Sequence, residues 1–187
     1  MIELFKKYVQ WKILSHFLDN PNTSFHIKQL ARILNVSPAS VSSAVKSFEK
    51  DGLLSKEEKG LAHIYRLNAD NRMVAPLKKA YGIAFVMSSK PKEKFLDIAP
   101  HIISLAIFGS YAQGSFDEKS DIDFLVITST RKENLIISAK RLEEELKKEV
   151  SLSVFKLSEW RTMAKKSDAF YKRIVENHIL LYGSGLK

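Results

Sequence analysis

The stretch that decides the fold of the C-terminal half is residues 102–127, which read IISLAIFGSYAQGSFDEKSDIDFLVI. It opens with a mostly apolar run rich in branched side chains, as expected of a buried strand. A polar, turn-like segment follows Gly109-Ser110, and a second apolar strand begins at Asp121. Side chains two positions apart on a strand point to the same face, so Asp121 and Asp123 share one face. The stretch therefore predicts two strands that carry a pair of carboxylates near the turn between them.

These residue types together predict a phosphate-handling site. Two neighbouring carboxylates repel each other, and a divalent cation removes that repulsion. Mg²⁺ prefers carboxylate oxygens together with substrate phosphates. Gly109 lets the backbone approach a phosphate, and Ser110 offers a hydroxyl and an N–H group. We therefore predict that Asp121 and Asp123 are catalytic, metal-binding residues and that Gly109 and Ser110 bind nucleotide, as phosphoryl or nucleotidyl transfer requires.

Residues 108–127 carry a specific family resemblance. The string FGSYAQGSFDEKSDIDFLVI, with Gly-Ser followed at fixed spacing by Asp-x-Asp, resembles the minimal nucleotidyltransferases of the DNA-polymerase-β superfamily. The resemblance extends over about residues 102–155. It implies that the Gly-Ser pair holds a nucleoside triphosphate and that the two aspartates hold Mg²⁺ ions.

The chain departs from that family at one position. The family usually places a third carboxylate on the next strand, where it activates the attacking hydroxyl. An amphipathic helix predicted over residues 132–148 leads into a strand predicted over Val150–Phe155, and the matching position is Ser151. Serine binds metal poorly and is no general base at neutral pH. The two-metal site is therefore expected to be incomplete, with catalysis weakened, rearranged or lost unless Glu144, Glu145 or a substrate group substitutes.

The N-terminal half predicts two helices joined by a short turn and followed by a hairpin. Apolar residues between 27 and 34 recur at helical spacing, and Ser37 caps a second helix that ends before Gly52. Strands are predicted over Leu53–Ser55 and Leu61–Leu67, with a charged turn at Lys56–Gly60 between them.

The run from Ser24 to Leu67 resembles winged-helix transcription regulators, which implies double-stranded DNA as a partner and Ser37–Asp51 as the recognition helix. Small hydroxyl residues near a helix N-terminus and nearby lysines suit phosphate contacts. The predicted DNA-binding residues are Ser37, Ser40, Ser43, Lys46, Lys56 and Lys59. Few Arg, Asn or Gln side chains, the usual base readers, lie on this helix. A winged helix that serves only dimerisation or protein contact is the alternative.

The predicted fold is a two-domain α/β chain. Residues 1–70 form a winged helix-turn-helix, residues 71–98 a connecting helix and linker, and residues 99–187 a nucleotidyltransferase-type mixed sheet with helices. The ending SVFKLSEW through HILLYG resembles a prokaryotic group that pairs these two domains. Three residues near the end could approach a phosphate, although surface charge of a helix is the favoured interpretation: Lys172, Arg173 and His178.

Composition sets the broad class. The 187 residues carry a formal net charge of +9, which favours polyanionic partners such as nucleic acid and nucleotides. No cysteine is present, which excludes disulfides and thiolate chemistry. No apolar run reaches the ~20 residues of a membrane helix, and the N-terminus lacks the features of a secretory signal. A cytoplasmic protein without membrane contact is expected, and the paired domains suggest a homodimer.

Three functions follow from these patterns. The first is Mg²⁺-dependent transfer of a nucleoside monophosphate from a nucleoside triphosphate to an acceptor hydroxyl, targeted by the winged helix. The second is transcriptional regulation, in which a degenerate transferase domain only binds or senses nucleotide. The third is an antitoxin-like partner that modifies or masks another protein, as related minimal transferases do with HEPN-family toxins.

Overall fold

The computed structural model describes residue 2, residues 7–59 and residues 62–187. The chain divides into two compact units. The N-terminal unit contains Met1–Ala84 together with Gly114–Lys119, and the C-terminal unit contains Phe85–Gln113 and Ser120–Lys187. Within the described ranges, no helix combines the length and the apolar character needed to cross a bilayer.

The N-terminal unit is a winged helix. Its helices are α1 (Val9–Asp19), α2 (Ile27–Leu34) and α3 (Pro38–Lys50). Each helix buries one apolar stripe; the buried residues are Ile13, Leu14, Phe17, Leu18, Leu30, Ala31, Val41, Ala44 and Val45. The N-cap of α3 is Ser37, whose side chain accepts a hydrogen bond from the Ser40 N–H at 3.1 Å. Gly52, with a φ of +72°, follows the end of α3, also as predicted.

The wing differs from its prediction in one respect. Strands β1 (Phe25–His26), β2 (Leu54–Lys59) and β3 (Ala62–Leu67) form an antiparallel sheet in the order β1-β3-β2. The segment predicted as a charged turn, Lys56–Gly60, is therefore a strand as far as Lys59. An edge strand with exposed faces accommodates charged residues, and six cross-strand pairs hold this one in place. Gly60, the last residue of the predicted turn, and Leu61, the first residue of the next predicted strand, lie outside the described residues.

A short segment of the predicted nucleotide-site stretch packs with the N-terminal unit. Phe116 is fully buried, and the buried Lys78 of helix α4 (Val74–Ser88) donates a hydrogen bond to its carbonyl and lies over its ring at 4.8 Å. Burial lowers the pKa of Lys78. The Tyr81 hydroxyl donates to Asp19 at 2.5 Å, and the Thr23 hydroxyl donates to Glu118 at 3.0 Å. Residues 114–119 are thus anchored by specific contacts.

The C-terminal unit is built on a four-stranded mixed sheet in the order β6-β5-β4-β7. Strand β5 runs parallel to β6 and antiparallel to β4, and β7 is antiparallel to β4. The strands are β4 (Ser104–Phe108), β5 (Ile122–Ile127), β6 (Val150–Phe155) and β7 (Ile179–Gly183). The predicted strand at Val150–Phe155 is confirmed at both ends.

Helices cover both faces of this sheet because β4 and β5 are apolar on both sides. They are α5 (Pro91–Ile98), the short α6 (Gly109–Gln113), α7 (Lys132–Leu146), α8 (Leu157–Lys165) and α9 (Ala169–Glu176). Phe95 of α5 packs against Phe124 on one face, at 5.3 Å between ring centroids. On the other face Trp160 and Ile174, from α8 and α9, join a buried cluster that includes Phe108 and Leu125.

Candidate active site

The backbone at Gly109 and the carboxylate of Asp123 lie in direct proximity. Phe108, the last residue of β4, is paired with Asp123 of β5, and the chain turns into α6 immediately afterwards. Gly109 has a φ of +68°, and a Cβ atom built there would lie 2.1 Å from Oδ2 of Asp123. Any side chain at position 109 would therefore collide with the carboxylate, so the close approach requires glycine. Ser110 follows in α6 and is half-buried.

Asp121 lies beside Ser151. Asp121 immediately precedes β5, and Ser151 is paired with Asp123 in the parallel ladder between β5 and β6. The Ser151 hydroxyl donates a hydrogen bond of 2.6 Å to Oδ2 of Asp121. Ser151 thus lies next to the two aspartates, on the strand where the resembled family places its third carboxylate.

The half-buried environment of Asp123 disfavours the ionised form of its carboxyl group. Burial, followed by the charge of Asp121, raises the pKa of Asp123 to about 6, and the guanidinium of Arg173 partly opposes that rise. Keeping two neighbouring carboxylates ionised, one of them partly desolvated, costs free energy unless a positive charge compensates them. The electrostatics therefore favour a cation at this position.

The donor set fits a divalent metal ion that is shared with a substrate phosphate. Mg²⁺ commonly takes one or two protein carboxylates and completes its shell with water and phosphate oxygens. Asp121 and Asp123 supply such carboxylates, and the absence of a side chain at Gly109 lets the Asp123 carboxylate lie against the backbone. Among the residues that the structure describes, no cluster of three or more His, Cys, Asp or Glu side chains is placed to hold a metal by itself. A metal ion here would depend on its substrate for part of its coordination.

Other acidic residues near this strand are engaged elsewhere or exposed. Glu145 forms an ion pair with Lys94 at 2.7 Å, and Glu144 is exposed on α7. Glu143 accepts a hydrogen bond from the Val150 N–H at 3.0 Å. The exposed Glu149 lines a surface depression of about 520 Å³ together with Ser151. A group that approaches Ser151 from solvent would pass through this depression.

The residues predicted to bind DNA occupy different environments in the N-terminal unit. Ser43 and Lys46 are exposed on α3, whereas Ser37 and Ser40 hydrogen-bond to each other at 2.8 Å and cap the helix. In β2, Lys56 forms an ion pair with Glu58 at 3.2 Å, and the hydrogen bond that its ammonium donates to Glu58 raises the pKa of Lys56. The sixth predicted residue, Lys59, ends β2, and its side chain lies outside the described part of the chain.

Two family models match the chain. Residues 88–181, half of its length, match the model described as "Nucleotidyltransferase domain". The chain belongs to this nucleotidyltransferase family. Residues 7–60 match the model of the MarR family, in agreement with the winged-helix architecture. No curated protein shows significant sequence similarity to this chain.

Solved structures with a similar fold include three that cover about half of the chain. One is a toxin–antitoxin solved with AMP-PNP, at 24% identity over 51% of this chain and 73% of that chain, with a TM-score of 0.40. A complex of a tri-AMPylated Shewanella oneidensis HEPN toxin with MNT antitoxin matches at 18% identity, 59% and 73% coverage and a TM-score of 0.34. A possible transcriptional regulator from Methanosarcina mazei Go1 matches at 17% identity, 49% and 83% coverage and a TM-score of 0.34. At these identities the likeness concerns the fold alone.

Proposed function

We propose that the C-terminal domain transfers a nucleoside monophosphate from a nucleoside triphosphate to an acceptor hydroxyl, with Mg²⁺, and that the winged helix binds double-stranded DNA. The observation that carries the first half is the placement of the Asp123 carboxylate against Gly109, with Asp121 beside it. Paired carboxylates held beside a glycine backbone suit metal-assisted transfer at phosphorus.

In the proposed reaction the acceptor oxygen attacks the α-phosphorus, the bond to the bridging oxygen of the β-phosphate breaks, and pyrophosphate leaves with those electrons. The acceptor proton passes to solvent or to the substrate itself, because Ser151 is no base at neutral pH. Asp121 and Asp123 would hold Mg²⁺, which when bound neutralises charge on the phosphates. The Gly109 backbone and the Ser110 hydroxyl and N–H orient the polyphosphate.

A second candidate function rests on the hydrogen bond between Ser151 and Asp121. A hydroxyl in place of the third carboxylate preserves nucleotide and metal binding but removes the group that activates an acceptor. The domain would then bind nucleotide without transferring it, and the winged helix would respond as a nucleotide-sensing regulator of transcription. The two candidates differ in whether a new phosphodiester bond to an acceptor forms.

A labelling experiment separates them. The protein is incubated with Mg²⁺ and each of the four α-³²P nucleoside triphosphates, alone and with cell extract, beside an Asp121→Asn/Asp123→Asn variant. Label on a macromolecule that the double variant fails to produce supports transfer and identifies the acceptor, whether nucleic acid or a partner protein. Nucleotide binding by calorimetry without any labelling supports the sensing function. Equal nucleotide affinity in the wild type and the double variant contradicts both.

The DNA-binding half is supported by the match of residues 7–60 to the MarR family and by exposed Ser43 and Lys46 on α3. A net charge of +9 adds a favourable non-specific component to binding. Gel-shift and anisotropy measurements with random-sequence duplex test the interaction. Absence of any salt-dependent binding to duplex DNA would favour a winged helix that contacts protein instead.

A further inference from the structure

Helix α9 packs on the sheet face from which the Asp123 side chain projects. Residues directly opposite each other on paired strands point to the same face, so Phe108 and Asp123 share one. Ile174 of α9 belongs to the buried cluster that contains Phe108 and Leu125. The Phe170 ring, one turn earlier on the helix, meets the Phe108 ring edge-on at 5.8 Å between centroids. Helix α9 is therefore connected by packing to the residue that precedes Gly109.

Arg173 lies on this helix between Phe170 and Ile174. Its guanidinium carbon is 5.6 Å from the centroid of the Phe170 ring, the geometry of a cation–π contact. The side chain is exposed, and it forms no ion pair within 4.0 Å among the described residues. The same Phe170 ring meets Phe108, the residue that precedes Gly109. An unpaired guanidinium is thus held on an aromatic ring that packs against the end of β4, beside the Gly109–Asp123 site.

We propose that Arg173 binds the β- or γ-phosphate of the nucleoside triphosphate at the Gly109–Asp123 site, a role that rests on the proposed function. The positive charge of a metal ion held by Asp121 and Asp123 is largely offset by those two carboxylates. The negative charge of a bound triphosphate then remains uncompensated, so a further cation beside the phosphates is favourable. A planar guanidinium donates to two phosphate oxygens at once, and contact with a ring restricts its motion before the ligand arrives. The absence of a direct ion pair with Asp123 leaves the donors available to an anion.

This role distinguishes Arg173 from its neighbour. Lys172 precedes it on α9, is equally exposed and has the same charge. No contact is seen between Lys172 and an aromatic ring or a carboxylate in the described part of the chain. Lys172→Gln therefore changes the net charge by the same amount as Arg173→Gln without removing the proposed phosphate contact. The pair provides a matched comparison for long-range electrostatics.

The test uses calorimetry on the full chain with Mg²⁺ and α,β-methylene triphosphate analogues of all four nucleosides, which prevent turnover. The corresponding nucleoside monophosphates serve as the second ligand. We expect Arg173→Gln to weaken binding of the triphosphate analogue about tenfold or more, the scale of one charged hydrogen bond, and to leave monophosphate affinity within about twofold of wild type. Arg173→Lys should be intermediate because it keeps the charge but loses the two-point contact.

The outcomes separate this inference from the function on which it rests. Equal losses for triphosphate and monophosphate, or the same loss in Lys172→Gln, would overturn the role of Arg173. If Asp121→Asn/Asp123→Asn loses triphosphate binding while Arg173→Gln retains it, only the Arg173 inference is wrong. If the wild type binds no triphosphate analogue, the proposed function and this inference fall together. Thermal unfolding of each variant verifies that the fold is intact.

Discussion

The Ser151 hydroxyl lies 2.6 Å from Oδ2 of Asp121 and donates a hydrogen bond to it. Ser151 is also paired with Asp123 in the ladder between β5 and β6. This serine is therefore next to both aspartates: its hydroxyl bonds to Asp121, and its backbone is paired with that of Asp123. A carboxylate at position 151 would put three negative charges together, whereas the hydroxyl supplies a donor. The hydrogen bond from Ser151 therefore stabilises the acidic pair, but the position no longer carries a third carboxylate that could bind metal.

Ser151→Asp should supply the missing carboxylate. With Mg²⁺ and nucleotide we expect the transfer rate to rise by about 10²-fold, the lower range of general-base contributions. Without Mg²⁺ the variant should melt at a lower temperature than wild type, because three carboxylates then repel each other. Labelling with α-³²P nucleotides and thermal unfolding with and without Mg²⁺ measure the two effects.

Ser151→Asn is the matched control, since it has the same size as the aspartate variant and no charge. Identical behaviour of Ser151→Asp and Ser151→Asn, in both rate and Mg²⁺-dependent melting, would show that position 151 does not face the metal.

Gly109→Ala should disrupt the site through a single methyl group. The positive φ of +68° costs a non-glycine residue about 1–2 kcal/mol, and the new Cβ would collide with Oδ2 of Asp123. We expect a lower free energy of unfolding and loss of nucleotide binding, measured by denaturant titration and calorimetry. Gly185→Ala is the control, because no atom lies within 4 Å of a Cβ at that position. Normal nucleotide affinity in Gly109→Ala would mean that the phosphates bind elsewhere.

Local patterns predicted most of the elements that carry the candidate site. Four apolar residues of α7 recur at helical spacing, which predicts one buried face. All four are buried: Leu135, Ala139, Leu142 and Leu146. The pairing of Ser151 with Asp123 agrees with the assignment of Ser151 to the third carboxylate position, because a one-residue shift in register would turn every side chain of β6 to the opposite face.

Features that depend on distant contacts could not be read in this way. Residues 114–119 look like a polar turn, and only the apolar Phe116 hints that the segment is anchored in the N-terminal unit. Arg173 was interpreted as surface charge because no local signal distinguishes it from Lys172. Its contact with Phe170 arises only when α9 packs on β4. The Nδ1–H of His178, which shares this interpretation, donates a hydrogen bond to the Ile174 carbonyl 3.0 Å away, which is a structural role.

Lys46→Ala should flatten the salt dependence of DNA binding. Lys46 is exposed on α3. If it contacts one phosphate, its removal means that DNA binding releases about one counterion fewer, so the magnitude of the slope of log K against log salt should fall by ~0.9. Fluorescence anisotropy with a duplex at several salt concentrations measures the slope. Lys140→Ala, an exposed lysine on α7 in the C-terminal unit, makes the same charge change away from the winged helix. A slope unchanged in Lys46→Ala, or reduced equally in Lys140→Ala, would argue against α3 as the DNA-contacting helix.

His16 should make the winged helix sensitive to acid. Burial lowers the pKa of His16, whose ring packs against Phe25 at 4.8 Å and whose Nε2 has no hydrogen-bond partner among the described residues. In the unfolded chain histidine titrates near pH ~6.5. As pH falls below that value, the unfolded state takes up a proton that the folded state does not. The free energy of unfolding then decreases, by at most about 1.4 kcal/mol per pH unit, until the folded pKa is passed.

His16→Phe should remove this loss, because phenylalanine keeps the ring packing and does not titrate. The chain has two tryptophans, so a Trp160→Phe background leaves Trp11 of α1 as a fluorescence probe of the N-terminal unit. Urea titrations at pH 7.5, 6.5 and 5.5 should show a smaller decrease in unfolding free energy for His16→Phe than for the background protein. His101→Gln, at an exposed histidine in the C-terminal unit, should leave the decrease unchanged. Equal decreases in all three proteins would assign the acid sensitivity to other groups.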